Sequence, residues 1–194
     1  MINVKKEGVI LSKTELSFEN TAVLNPAVFQ EGNSVHLFYR AVDEENNSTI
    51  GYCKLDGPLT IKKRLKTPLL KSESDFESRG LEDPRIVRID DLYYLTYTAF
   101  DGASAIGALA TSGDIEHFDK QGLLVPKIKK SVFKNYIDAN GKLTQKYITM
   151  NDGDGFVMNK DVVFFPRRIK GKLCFMHRIR PEIQIVSVND LNEL

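Results

Sequence analysis

Asn25-Pro26-Ala27-Val28-Phe29 and Asp83-Pro84-Arg85-Ile86-Val87 are two versions of one short pattern, set 58 residues apart. Each is a polar residue, a proline and then an apolar run. The stretches downstream of the two copies also match. Residues 35–41 and 92–98 are rich in β-branched and aromatic side chains, the composition of a strand. The turn-forming clusters Glu31-Gly32-Asn33-Ser34 and Asp90-Asp91 separate each of these strands from the apolar run before it. Strand, tight turn, strand is a hairpin. The register persists beyond the hairpins. Ala41 and Ala99 each lie 16 residues past the start of their copy, and Ile50-Gly51-Tyr52 matches Ile106-Gly107-Ala108. A looser third copy starts at Lys160-Asp161-Val162-Val163-Phe164-Phe165. It continues through Lys170-Gly171-Lys172 and Leu173-Cys174-Phe175-Met176-His177 to Ile183-Gln184-Ile185-Val186.

Units of three or four antiparallel strands repeated in phase predict an all-β fold built of β-propeller blades. A β-sandwich also has many short strands, but sandwich strands need not copy one another. The units fall near residues 20–78, 79–125 and 156–194, in a single domain spanning 1–194. The polar, Lys-rich span 126–158 reads as an elaborated loop between the second and third units. Only 4–18 and 131–145 offer a trace of helical period. The first strand of each blade lines a propeller's channel, so Asn25, Asp83 and Asp161 are expected around one axial pocket.

Composition bounds the function. The chain has 194 residues, 42% of them hydrophobic and 27% charged, with a net charge of +1. Apolar residues are too plentiful for intrinsic disorder. The balanced charge gives no general bias toward nucleic acid or a membrane surface. No apolar run approaches the roughly 18 residues that span a bilayer. Residues 1–7 lack the apolar core of a secretory signal. Cys53 and Cys174 cannot make a disulfide framework and sit in apolar runs, so both are expected as buried free thiols in a cytoplasmic protein.

The densest chemistry lies in Gly80-Leu81-Glu82-Asp83-Pro84-Arg85, with two carboxylates and an arginine around a proline that fixes φ. In an extended chain Glu82 and Asp83 point to opposite sides, so one enters a pocket while the other braces it. A local salt bridge in a turn is the competing reading. Arg40 and Arg178 leave strands at nearly equivalent points, and a guanidinium fork suits a sugar hydroxyl or an anion. Pairing with Asp43 or Glu44 is the alternative for Arg40. His177-Arg178-Ile179-Arg180-Pro181 clusters cationic groups beside apolar strands. Asn151-Asp152-Gly153-Asp154-Gly155 lacks the spacing of a calcium loop and reads as a turn. His36 and His117 have no neighbours at metal-ligand spacing, and no Gly-rich phosphate loop is present. Tyr93, Tyr94, Tyr97 and Phe100 are strand aromatics, able to stack on sugars but expected in the core.

Several of these stretches together resemble glycoside hydrolase family 130, which holds β-mannoside phosphorylases and related β-mannosidases. They are Asn25-Pro26-Ala27-Val28, Tyr39-Arg40-Ala41, Ser48-Thr49-Ile50-Gly51, Gly80-Leu81-Glu82-Asp83-Pro84-Arg85, Thr98-Ala99-Phe100-Asp101-Gly102, Asn159-Lys160-Asp161 and His177-Arg178-Ile179-Arg180-Pro181. The resemblance runs from about residue 10 to the C-terminus. It implies a five-bladed propeller, of which about three blades are present, so the domain is expected to be truncated. It implies Asp83 as the general acid of an inverting phosphorolysis that yields α-mannose 1-phosphate. Hydrolysis of β-mannosides, or a non-catalytic carbohydrate-binding fragment, is the alternative. Asn25, Arg40, Glu82, Arg85 and Asp101 are the candidate sugar-side residues, with Asp101 expected to support the pocket wall. Asn159, Lys160 and Arg178 are the candidate phosphate-side residues, although Met158 stands where a basic residue would strengthen that reading. No metal ligand and no cofactor is expected. The expected partners are a β-mannoside oligosaccharide and inorganic phosphate as co-substrate. The open edge of an incomplete ring also makes homo-oligomerisation an expectation.

Overall fold

Strands β1 (Ala22–Glu31), β2 (Ser34–Val42), β3 (Ser48–Asp56) and β4 (Thr60–Arg64) pair antiparallel in chain order and form the first blade. Strands β5 (Gly80–Ile89), β6 (Leu92–Phe100), β7 (Ala105–Ser112) and β8 (Asp119–Leu123) repeat that meander as the second. The third blade has β9 (Asn159–Phe164), β10 (Leu173–Ile179) and β11 (Glu182–Val188). This computed structural model describes residues 3–140, 146–147 and 153–194; Asn151 and Asp152 of the acidic turn lie outside them. Adjacent blades join along the backbone at one parallel pair each, Ser48 with Gly80 and Ile106 with Asn159. The chain is therefore an open, partial β-propeller of three blades, as the in-phase repeat predicts.

The helical traces resolve differently. Span 4–18 forms no helix beyond a 3-10 turn at Ser17–Glu19. Span 126–158, which reads from sequence as a loop, contains helix α1 (Lys130–Asn140). Its inward side carries Phe133 and Ile137, which pack with Tyr147, Val157 and Ile179. Among the described residues no helix is long and apolar enough to cross a membrane.

Blade stacking explains the burial pattern. Every residue of β7 is buried, as are all but the end residues of β6. A one-sided sheet would bury alternate residues; here both faces are covered. One face of the second blade packs Leu81, Leu95, Tyr97 and Ala99 against Phe38, Ile50 and Tyr52 of the first. Its other face packs Tyr94, Ile106 and Leu109 against Val162, Phe164 and Phe175 of the third. The contact is close enough to dictate a glycine. A Cβ on Gly80 would lie 2.5 Å from the Ser48 backbone, and its φ of +128° is open only to glycine. The outer face of the first blade is covered by Leu11 and Phe18. The outer surface of the third blade leaves Ile183 and Ile185 66% and 67% exposed. Cys53 and Cys174 are buried free thiols.

Each of the first two blades is tied by a buried carboxylate that the sequence did not advertise. Glu19, fully buried, accepts from Tyr39 Oη at 2.8 Å and pairs with Arg64 Nη2 at 2.9 Å. Glu77, also fully buried, accepts from Tyr97 Oη at 2.6 Å and pairs with Lys120 Nζ at 2.6 Å. The acid comes from the 3-10 turn before the blade, the phenol from its second strand and the cation from its fourth. Burial and the carboxylate push both phenols above their usual range, so both stay protonated donors. In the third blade His177 holds the tyrosine's place and bonds Asn159.

The polar residues of the repeated pattern do not start strands. They sit inside them, at bulges. Pairing is interrupted between Leu24 and Ala27 in β1 and between Glu82 and Arg85 in β5. The ladder between β9 and β10 breaks beside Asp161. Asn25, Asp83 and Asp161 have φ of 47°, 50° and 59°. Asn and Asp tolerate this left-handed conformation better than other residues with a Cβ. A bulge there re-aims the side chain out of the pleat, which is how β1 and β5 bring Asn25 and Asp83 together while Asp161 turns to Arg178.

Candidate active site

Asp83 and Asn25 meet across the first two blades, where the Asn25 amide donates to Asp83 Oδ1. Asp83 is half-buried, and among the described residues nothing bonds its Oδ2. The amide therefore fixes one carboxylate oxygen and leaves the other for a proton or a substrate hydroxyl. Beside it, Arg40 Nη2 pairs with Glu82 Oε1 at 2.8 Å, and Arg40 Nε donates to Ser48 Oγ at 2.8 Å. Arg40 thus reaches across to the second blade; it does not pair with Asp43 or Glu44. The alternative of a local salt bridge within residues 80–85 is also absent. Arg85 is exposed and turns Nη1 back onto the Pro84 carbonyl at 2.8 Å. It lines a shallow hollow with Asn25 and Val163, so Arg85 belongs to the channel side.

Between the second and third blades lies a cavity of about 420 Å³. Glu82 lines it, one residue from Asp83. Lys160, Arg178, Arg180 and Lys130 bring four cations to its wall, against the carboxylates of Glu82 and Asp154. Arg178 is steadied by Asp161, whose Oδ2 lies 2.5 Å from Nη2. Sequence spacing puts Asp161 at the axis, but its pairing with Arg178 depends on a bulge that spacing does not reveal. A wall that carries these cations suits an anion, because charge-assisted bonds offset the anion's desolvation.

Two candidates support the site from behind. Asn159 is 1% exposed; its Nδ2 donates to the Pro126 carbonyl at 3.2 Å and its Oδ1 lies 2.7 Å from His177 Nδ1. It does not line the cavity. It holds the strand that carries Lys160. Asp101 accepts from Ser104 N at 2.6 Å, Ser104 Oγ at 2.7 Å and Ala103 N at 2.9 Å, and pairs with Lys127 at 2.7 Å. Burial pushes its carboxyl pKa up, but Lys127 and the Ser104 and Ala103 donors outweigh burial and hold it well below the usual carboxylate range. Both of its oxygens are committed, so Asp101 shapes the rim of the cavity.

His177 and His36 give the structure a pH dependence. Burial lowers the pKa of both, with Lys54 adding to the effect at His36. The folded chain then binds fewer protons than the unfolded chain once pH falls below the unfolded value near 6.5. Their contribution to stability is complete above that pH and is lost as pH falls from it through the lowered folded values. Thermal melts at pH 7.5 and 5.5 are expected to show a lower midpoint at 5.5. The His177→Gln variant, which keeps a donor to Asn159 and removes the titration, is expected to narrow that gap.

The family model described as β-1,4-mannooligosaccharide phosphorylase matches residues 6–191. A 1,2-β-oligomannan phosphorylase from Thermoanaerobacter sp. (strain X514) is 32% identical over 98% of this chain and 58% of its own length. A β-1,2-mannobiose phosphorylase from the same organism is 29% identical over 88% of this chain and 52% of its own. The chain thus spans little more than half the length of these curated relatives. Among solved structures, a glycosyl hydrolase from Bacteroides ovatus superposes with a TM-score of 0.69 at 20% identity, over 94% of this chain and 53% of that one. The β-1,2-mannobiose phosphorylase of Listeria innocua superposes with a TM-score of 0.62 at 19% identity, over 88% of this chain and 57% of that one. With a family match across nearly all of its length and a relative above 30% identity, the chain belongs to glycoside hydrolase family 130.

Proposed function

We propose that the protein cleaves β-mannosides by inverting phosphorolysis and releases α-mannose 1-phosphate, with Asp83 as general acid. The observation that carries this reading is the Asp83 carboxylate, set at a left-handed bulge one residue from Glu82, which lines a cation-bearing cavity. Asp83 Oδ2 carries the proton while Asn25 occupies Oδ1. The proton reaches the glycosidic oxygen through a hydroxyl of the mannosyl unit as the bond from that oxygen to the anomeric carbon breaks. A phosphate oxygen attacks the anomeric carbon from the opposite face, and the leaving sugar departs with the proton. Phosphate takes the place of the water and base of an inverting hydrolase. Lys160 and Arg178 bind it, and Asn159 positions the strand that carries Lys160. Arg40, Glu82 and Asn25 orient the mannosyl unit, with Arg85 at the channel side and Asp101 behind the rim. The two free thiols fit a reducing, cytoplasmic setting.

The relatives' names favour β-1,2-mannobiose as the first substrate to try, with β-1,4-mannobiose in parallel. Incubation with phosphate is expected to release mannose 1-phosphate, followed by ³¹P NMR. Free mannose formed at a rate independent of phosphate would instead assign hydrolysis. Saturable binding of mannobiose without either product would assign a binding module. Arg178→Ala is expected to raise KM for phosphate about 10- to 150-fold, the loss of one charge-assisted bond.

A further inference from the structure

The cavity has a second wall that neither charge nor acid catalysis accounts for. Phe100, Ala103 and Ala105 come to it from the second blade, and Phe156 and Met158 from the segment leading into β9. Phe156 is half-buried, and Met158 is 42% exposed although its neighbours Val157 and Asn159 are both buried. Leaving apolar side chains open inside a polar cavity costs burial that the fold could otherwise use. The Phe156 ring is also held. Lys127 Nζ sits 4.4 Å from its centroid, and the same ammonium is pinned 2.7 Å from Asp101 Oδ2. Asp101 is in turn locked by Ser104 and Ala103. A chain of ion pair and hydrogen bonds thus fixes one aromatic ring that borders the cavity.

We propose that Phe156 is the stacking platform for a pyranose ring of the oligosaccharide, the leaving sugar, and that Asp101 and Lys127 position it. The proposal rests on the reading of the cavity as a β-mannoside phosphorylase site. A pyranose presents a face of C–H bonds with partial positive charge, and an aromatic face is negative, so the two attract beyond their area of contact. The cavity then divides its labour. Its cations come from the third blade and the start of α1 and take phosphate. Its aromatic wall comes from the second blade and the inserted span and takes sugar. The described residues 153–158, which lead into β9, are thereby the part of the inserted span that reads the leaving sugar. No bond changes at Phe156; its role is binding and orientation.

The chain contains no tryptophan, which makes the test direct. Phe156→Trp places a single indole on the platform. Titration with β-1,2-mannobiose is expected to change its emission saturably, and titration with inorganic phosphate alone is expected to leave it nearly unchanged. In steady-state assays Phe156→Ala is expected to raise KM for mannobiose about 10-fold or more, with the phosphate KM unchanged, and Phe156→Tyr to restore it. Lys127→Met is expected to raise the same KM by less, and Lys127→Arg to restore it. An indole that ignores mannobiose while the unmodified protein carries out phosphorolysis overturns the platform and leaves the phosphorolysis reading standing. A responsive indole in a protein that releases no mannose 1-phosphate keeps the platform and overturns phosphorolysis. Equal rises in both KM values for Phe156→Ala mean a structural effect and overturn the assignment.

Discussion

Asp83→Asn is expected to lower phosphorolysis of β-mannobiose by about 10²- to 10⁴-fold, the usual share of a general acid. The substitution is unusually clean. Position 83 has a φ of 50°, and the equivalent position of the first blade is already an asparagine at 47°. The backbone therefore accepts the change. The new side chain still offers Oδ1 to the Asn25 amide, so the contact across the blades survives. What disappears is the proton. The thermal midpoint is expected to stay at the parent value while the rate falls, which separates a catalytic loss from a folding loss. An aryl β-mannoside with a good leaving group needs less protonation, so its rate is expected to fall far less than that of mannobiose. Glu82→Gln is the control on the neighbouring carboxylate. It breaks the charge pairing with Arg40 and is expected to weaken mannoside binding. If Glu82→Gln abolishes turnover of mannobiose but not of the aryl substrate, and Asp83→Asn stays within about 10-fold of the parent, below the range of a general acid, Glu82 is the acid.

Much of this architecture is legible in the sequence because it is periodic. Asn25 and Asp83 announce equivalent places by their spacing, and the same spacing predicts separate blades where a sandwich would also satisfy the strand count. The sequence cannot show a bulge. Strict alternation puts Glu82 and Asp83 on opposite sides, but the break in pairing between Glu82 and Arg85 removes that alternation at the residues that matter. It also hides which arginine is free to bind. Arg40, Arg85 and Arg178 are all candidate ligand residues in the sequence, yet one spans two blades, one folds onto its own backbone and one leans on Asp161. Asn159 shows the same limit. Its place in Asn159-Lys160-Asp161 suggests a ligand, and burial against His177 makes it a brace. Helix α1 leaves only a trace of helical period over 131–145, because its buried positions Phe133 and Ile137 are only two in a mostly polar run, supported by Tyr147 and Val157 from beyond it.

Glu77→Ala is expected to be the most destabilising single change in the molecule outside its apolar core. The carboxylate is completely buried and serves three donors at once: Tyr97 Oη at 2.6 Å, Lys120 Nζ at 2.6 Å and the Glu73 amide at 3.0 Å. Removing it leaves a buried phenol without an acceptor and an ammonium with little access to water, held only by the Lys71 carbonyl and, at 3.6 Å, by Glu73 Oε2. Breaking one side of a buried pair in this way costs about 3–5 kcal/mol. In a chain of this size that is a drop in thermal midpoint of roughly 6–20 °C, at about 2–4 °C per kcal/mol. The loss comes from the orphaned partners and not from an intrinsically strong pair, because burying both charges already carried a desolvation cost. Replacing both members, Glu77→Leu with Lys120→Met, is therefore expected to recover most of the midpoint that Glu77→Ala loses. Glu77→Gln keeps an acceptor for Tyr97 and is expected to fall between the two. Thermal melts of the three variants distinguish these orders. The Asp75–Glu77 turn runs directly into β5, the strand that carries Glu82 and Asp83. Glu77→Ala is thus also expected to reduce turnover, but only at temperatures where its melting has begun. A rate loss well below that transition would mean that the tie between Glu77, Tyr97 and Lys120 holds the acid in place as well as the blade.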